Sequence, residues 1–210
     1  MEEIGLFPLA AVLLPTERIP LHVFEPRYRE LIGECLEEGR EFGLILADDD
    51  GLREVGTRAT VTDVLERFED GRLNIVIEGG ERFRLVELTS GRSFTTGEIE
   101  PVVDLEDEPD PADVERALGL LRKLGEIAGA DVDELHVTTD VPSFELAARV
   151  EFEPELKQRL LETRSEPERL HTLAELLERA ASQLELQQAG SRIAQTNGKV
   201  GPPPQPGPST

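Results

Sequence analysis

The chain has 210 residues, with 44 Asp or Glu against 22 Lys or Arg and a net charge of −22, so its surface repels phosphate backbones and anionic lipid heads. Hydrophobic residues make up 38%, enough for a real core and against wholesale disorder, while aromatics are only 4%, which leaves the core to Leu, Ile and Val and makes base-stacking platforms scarce. One Cys excludes an internal disulfide, and one thiol with three scattered histidines gives no metal-ligand spacing. A reducing, cytoplasmic setting is expected.

The chain opens MEEIGLF, acidic where a secretory signal carries bases, and its first positive side chain is Arg18. The longest apolar runs, residues 9–14 and 42–47, hold six residues each, against ~20 for a bilayer span. No membrane partner is expected.

A helix is expected over residues 25–38. Tyr28, Leu31, Ile32, Cys35 and Leu36 fall on one helical face, Pro26 sits in the first turn and Gly39 lies just past the end. Cys35 on that apolar face reads as a buried, inert thiol. Strands are expected over residues 42–47, 55–69, 72–79, 81–88 and 94–103, β-branched or alternating runs separated by Gly and Asp. Asp70-Gly71 marks a hairpin, and the imperfect alternation of Phe83, Leu85 and Leu88 predicts a bulge. Many short antiparallel strands in about a hundred residues point to a small barrel.

Residues 104–113, DLEDEPDPAD, form an acidic, Pro-containing joint that reads as a hinge between residues 1–103 and a helical zone, 104–186. Helices are expected over residues 112–128, 140–152 and 153–163. A last one opens with the capping box of Ser165 and Glu168 and carries Leu170, Leu173, Leu177 and Leu184 on one stripe. Four such helices predict a bundle. Residues 187–210 hold no acid and two bases, Arg192 and Lys199, and end in GPPPQPGPST, which reads as a disordered Pro-rich tail.

Catalytic signatures are missing. The sequence has no GxxxxGK[ST], no GxGxxG and no GxSxG, and its three lysines, Lys123, Lys157 and Lys199, lie in helical or tail segments. His22 reads as a structural histidine, His136 and His171 are isolated, and Asp48, Asp49 and Asp50 before Gly51 read as a solvated turn rather than an ion loop. No cofactor, metal or enzymatic activity is expected.

What remains is residues 6–32, LFPLAAVLLPTERIPLHVFEPRYRELI, dense in Leu, Pro and Phe. Phe7, Leu9, Val12, Ile19, Leu21 and Phe24 read as barrel core, with Pro8, Pro15 and Pro20 fixing strand ends. The functional alternative is an apolar groove for extended polypeptide near Leu13, Leu14, Pro15 and Ile19. The stretch resembles the opening of the Lon protease amino-terminal, substrate-binding domain family. Leu6-Phe7-Pro8-Leu9, Val12-Leu13-Leu14-Pro15 and the run from Ile19-Pro20-Leu21-His22 to Arg29-Glu30-Leu31-Ile32 carry the likeness. Phe42-Gly43, Val55-Gly56-Thr57, Asp70-Gly71-Arg72 and Gly80-Glu81-Arg82-Phe83-Arg84 follow in order.

That resemblance, covering about residues 4–186, implies an α+β fold, a PUA-like pseudo β-barrel with one early helix followed by a C-terminal α-helical bundle. It also implies a non-catalytic module that binds unfolded or client polypeptides in protein quality control, in a stand-alone form lacking the ATPase and Ser-Lys peptidase domains. A full-length ATP-dependent protease is the implied partner. The alternative from the same fold is an RNA reader using Arg82 and Arg84, which the acidic composition opposes, so no nucleic-acid partner is expected.

Overall fold

A computed structural model describes residues 1–132 and 136–197. The elements run β1 (Glu2–Leu9), β2 (Arg18–Val23), α1 (Pro26–Glu38), β3 (Phe42–Asp48), β4 (Gly51–Leu52), β5 (Val55–Arg67), β6 (Leu73–Thr89), β7 (Thr96–Pro101), α2 (Pro111–Ala128), α3 (Pro142–Ala147), α4 (Pro154–Glu162) and α5 (Glu166–Asn197).

The sheet order is β1-β7-β6-β5-β3-β4, with β2 added to β6 and a parallel β1–β3 pairing. β1 changes partner along its length: residues 2–5 pair antiparallel with β7 and residues 6–9 pair parallel with β3. The strands therefore curl into a pseudo-barrel rather than a regular closed one. This is the expected α+β arrangement, a β-rich part with one early helix followed by a helical layer.

α1 forms where local signals agree. Glu25 is extended at the N-cap, Pro26 fits the first turn, and Gly39 adopts the left-handed conformation (φ 65°) that lets its N–H reach the Cys35 carbonyl. The face holding Tyr28, Leu31, Ile32 and Cys35 is buried, as the periodicity required. The hairpin turn is also as read: Gly71 takes φ 84° and its N–H donates to the Phe68 carbonyl at 3.0 Å.

Two strands expected on either side of Gly79-Gly80 are one strand, β6, seventeen residues long. Gly79 is there for a tertiary reason. A Cβ at Gly79 would lie 2.1 Å from the Leu14 carbonyl oxygen, so only glycine lets the β1–β2 loop cross the strand. The expected irregularity within residues 81–88 is present as a register shift against β7 between Leu85 and Glu87.

The helix expected over residues 140–152 is shorter, Pro142–Ala147, and ends in tight turns at Arg149 and Val150. Pro154 then holds Glu153 extended before α4. Ser165 caps the last helix as expected, its hydroxyl accepting from the Glu168 N–H at 3.2 Å. α5 continues to Asn197, so the boundary placed at residue 187 is corrected: lacking acids does not prevent Gln, Ala, Arg and Ile from being helical. Gln188 fastens this extension by donating to the Ile127 carbonyl at 2.6 Å. The Pro-rich segment at residues 201–210 lies outside the described residues. Among the described residues no helix is long and apolar enough to cross a membrane.

One apolar cluster lies between α1 and the strands, built on Phe7, Leu13, Phe42, Ile75 and Ile77. Another combines Val12, Leu14, Leu46 and Val55 from the β-rich part with Phe144, Leu146, Leu160, Leu173 and Leu177 from the helices. The helical layer thus shares a core with the sheet, and buried polar contacts reinforce it. Gln158 donates to the Val55 carbonyl at 3.1 Å, and Arg82 to the carbonyls of Leu161 at 2.7 Å and Thr163 at 2.9 Å.

Candidate functional site

The β1–β2 loop positions the site. Val12 and Leu14 turn toward the helices while Leu13 turns into the barrel. Thr57 donates its hydroxyl to the Leu13 carbonyl at 2.6 Å, and the Leu14 N–H donates to Glu17 Oε2 at 2.9 Å. Lys157 of α4 donates to the Val12 carbonyl at 3.3 Å and closes a buried ion pair with Glu17 Oε1. Thr16 is left-handed (φ 67°) without being glycine, and its N–H is received by the Gly79 carbonyl at 2.8 Å. A loop this firmly held presents a fixed surface.

That surface includes Pro15, which with Gly80, Glu81, Arg82, Pro101, Val102, Val103, Asp104, Val141 and Phe144 lines a cleft of about 390 Å³. Gly80 and Glu81 have no register partner in β2, β5 or β7, so the ladder is interrupted along the cleft floor. Val103 is 64% exposed and Leu105 52%, which continues the apolar lining onto the surface.

A buried ionic group frames the far wall. Arg169 donates to Asp104 at 2.8 and 2.6 Å, to Ser143 Oγ at 3.0 Å and to the Thr163 carbonyl at 2.7 Å, and it pairs with Glu166. Arg82 meets the same Asp104. The Phe144 ring lies beneath both guanidiniums, 4.3 Å from Arg169 and 5.2 Å from Arg82. Burial depresses the Arg82 pKa below its ordinary value against the pull of Asp104. Burial also opposes the charge of Arg169, but the carboxylates of Asp104 and Glu166 outweigh it and raise its pKa.

Of the residues expected at the groove, the structure brings only Pro15 to it. Leu13 and Leu14 are 1% and 0% exposed and are corrected to core positions, because a Leu pair between two apolar layers gains more by burial than it would facing solvent. Ile19 is half-buried in the β2–β6 ladder opposite Ile77, away from the cleft. The sequence reading missed Val102, Val103, Val141 and Phe144. The sole local hint was the Pro101-Val102-Val103 run at the end of a strand.

Arg82 is spent on internal partners and is buried, so it is no phosphate contact, and Arg84 pairs with Glu54 at 2.8 Å. Cys35 is buried, and burial together with Glu34 and Glu38 pushes its thiol up to about 11, far from a nucleophile at neutral pH. Asp48 accepts from the Asp50 N–H and from Arg53 in the β3–β4 turn. Among the described residues no three His, Cys, Asp or Glu side chains are grouped to hold a metal ion.

A family model, the ATP-dependent protease La (LON) substrate-binding domain, matches residues 3–179. The chain belongs to this family. Within it, the Lon protease of Paraburkholderia phytofirmans is 27% identical over 218 residues, covering 95% of this chain and 27% of that protein. Lon protease 1 of Hydrogenovibrio crunogenus is 27% identical over 99 residues, 43% of this chain and 12% of that protein. The chain thus spans about a quarter or less of these relatives. A Lon N-terminal domain protein from Xanthomonas campestris superposes with a TM-score of 0.64 at 28% identity, over 82% of this chain and 97% of that one. The N-terminal domain of a Mycobacterium avium complex Lon protease shares the fold at a TM-score of 0.63 and 18% identity, over 84% and 98% of the two chains. The substrate-recognition character of the Lon family is what the match brings to this chain.

Proposed function

We propose that this protein is a non-catalytic receptor that captures exposed apolar stretches of polypeptide for protein quality control in the cytoplasm, working beside a full-length Lon protease. The observation that carries this reading is the Pro15 cleft. It is held open by a loop pinned at Glu17 and Gly79, floored by an interrupted ladder and lined by Pro101, Val102, Val103 and Phe144. Hydrophobic burial would supply the affinity, and an extended client would add main-chain contacts along Gly80 and Glu81.

Fluorescence anisotropy with a labelled, chemically unfolded client tests it. Saturable binding is expected, and Val103→Asp should weaken it about tenfold, the factor that ~1.4 kcal/mol represents. Val103 is exposed, so this variant leaves folding intact. Absence of saturable binding, or binding indifferent to Val103→Asp, would sink the reading.

A further inference from the structure

The far end of the β5–β6 hairpin carries a second, chemically different surface. Phe24 is 58% exposed and Leu65 63%, so two large apolar side chains stand in water at one end of the sheet. The His22 ring lies between Phe24 and Phe68, its centroid 5.9 Å from one and 6.0 Å from the other, and Arg72 covers Phe68 at 4.8 Å. This aromatic row leads into a cleft of about 510 Å³ lined by Pro26, Arg29, Gly33, Arg67, Phe68 and Leu73, together with Gly71 and Glu30.

The charge there runs against that of the whole molecule. Among the described residues neither Arg29 nor Arg67 has an ion-pair partner within 4 Å, and Glu30 is the one carboxylate of the lining. Of the neighbouring acids, Asp70 pairs with Arg72 at 2.7 Å and also feels the charge of Arg29, Glu25 pairs with Arg27 at 2.8 Å, and Glu66 accepts from the neutral Asn74 amide at 3.0 Å. Glu69 lies at the turn, outside the lining. The guanidinium of Arg29 is packed over Gly71, whose Cβ would sit 2.8 Å from Nη2, so glycine at the turn is what lets the arginine lie against the hairpin. By contrast, the lining of the Pro15 cleft has a net negative charge, as does that of the cleft between β1 and α1, where Glu2, Glu3, Glu34, Glu38 and Glu41 outnumber Arg40, Arg58 and Arg92.

We propose that the hairpin tip is a second polypeptide-binding site, one that selects extended segments in which an Asp or Glu stands beside an aromatic or aliphatic residue. The carboxylate pairs with Arg29 and Arg67, whose forked donors match it, and the apolar neighbour lies on Phe24, His22 and Phe68. A polyphosphate chain is the poorer occupant: it would bring a run of charges past Glu30, Glu69 and a −22 protein, whereas a single carboxylate sets one charge against the two arginines. The site shares with the Pro15 cleft only that its ligand is a polypeptide. Leu73 and Gly80 are seven steps apart along β6, about 23 Å at the usual rise, so each site can be altered without touching the other.

The test uses the full chain and three fluorescein-labelled twelve-residue peptides, one alternating Phe or Leu with Asp or Glu, a twin with Asn and Gln in place of the acids, and a twin with Lys. Anisotropy at low salt should rank the acidic peptide first, with the amide twin weaker by about tenfold, as expected for a charge-assisted pair. The double variant Arg29→Gln/Arg67→Gln should lose the same factor, Arg67→Gln alone part of it, and Phe24→Ser should weaken all three peptides. Val103→Asp should leave the acidic peptide's advantage over its amide twin unchanged, so the tip can stand where the cleft fails and the reverse. Equal binding of the amide twin, or full binding by a double variant with a native circular dichroism spectrum, would overturn the proposal. So would displacement of the peptide by oligouridylate that Arg29→Gln/Arg67→Gln abolishes, which would assign the tip to nucleic acid.

Discussion

Lys157 on α4 and Glu17 in the β1–β2 loop form a buried ion pair across 140 residues of sequence. Glu17 also receives the Leu14 N–H, and Lys157 also reaches the Val12 carbonyl, so one pair ties the loop to the helical layer. Replacing Lys157 by Met strands a carboxylate that is 8% exposed. We expect a loss of about 3–5 kcal/mol in urea unfolding, partly recovered in Lys157→Met/Glu17→Gln. If the single variant were as stable as the parent, the pair would not be holding the loop.

Arg169 is a stricter case. Its side chain is fully buried and meets Asp104, Ser143, Thr163 and Glu166 at once, which only a planar, forked cation can do. Arg169→Met should cost about 3–5 kcal/mol, and Arg169→Lys should recover only a part because an ammonium cannot span the two Asp104 oxygens. Chemical denaturation of the three proteins side by side decides this, and a fully restored Lys variant would contradict it.

Gly79 and Gly119 form a matched pair of tests. A Cβ at Gly79 collides with the Leu14 main chain, so Gly79→Ala should destabilise by at least ~1–3 kcal/mol. Gly119 is exposed within α2 with nothing near its Cβ, so Gly119→Ala should stabilise by ~0.5–1 kcal/mol. Melting temperatures should move in opposite directions.

Cys35 should resist thiolate-directed labelling at pH 8 in the folded protein and react freely in urea. Its pKa is raised from 9.0 to about 11, so the native state favours the protonated thiol. The stabilisation this gives is complete below pH 9 and fades as the pH climbs toward 11. Stability profiles of the parent and Cys35→Ala should therefore converge across that interval. Parallel profiles would show that the thiol titrates normally.

Where information is local, the sequence was readable. The Pro26, Gly39 and Asp70-Gly71 signals located α1 and the hairpin because capping and turn geometry are decided within a few residues. Gly79-Gly80 was misread as a break because its cause, the Leu14 carbonyl, lies 65 residues away in sequence. The cleft was less legible still, since Pro15, Gly80, Val102 and Phe144 come from four separate segments. Leu13 and Leu14 misled for a simple reason: an apolar pair wants shelter from water, and the sequence does not say whether a ligand or the protein's own helices will provide it. The joint at residues 104–113 read as a hinge, yet Asp104 is gripped by Arg82 and Arg169, and Leu105 donates to the Arg164 carbonyl at 2.9 Å.

The mixed cluster joining Val12, Leu14, Leu46 and Val55 to the helices also decides how the molecule can be taken apart. A fragment stopping before α2 would bare those four side chains and strip Arg82 of the Leu161 and Thr163 carbonyls, and a helical fragment would bare Leu160, Leu173 and Leu177. Each half alone is a sticky, aggregation-prone remnant, so domain-swap chimaeras of this protein must keep both layers together.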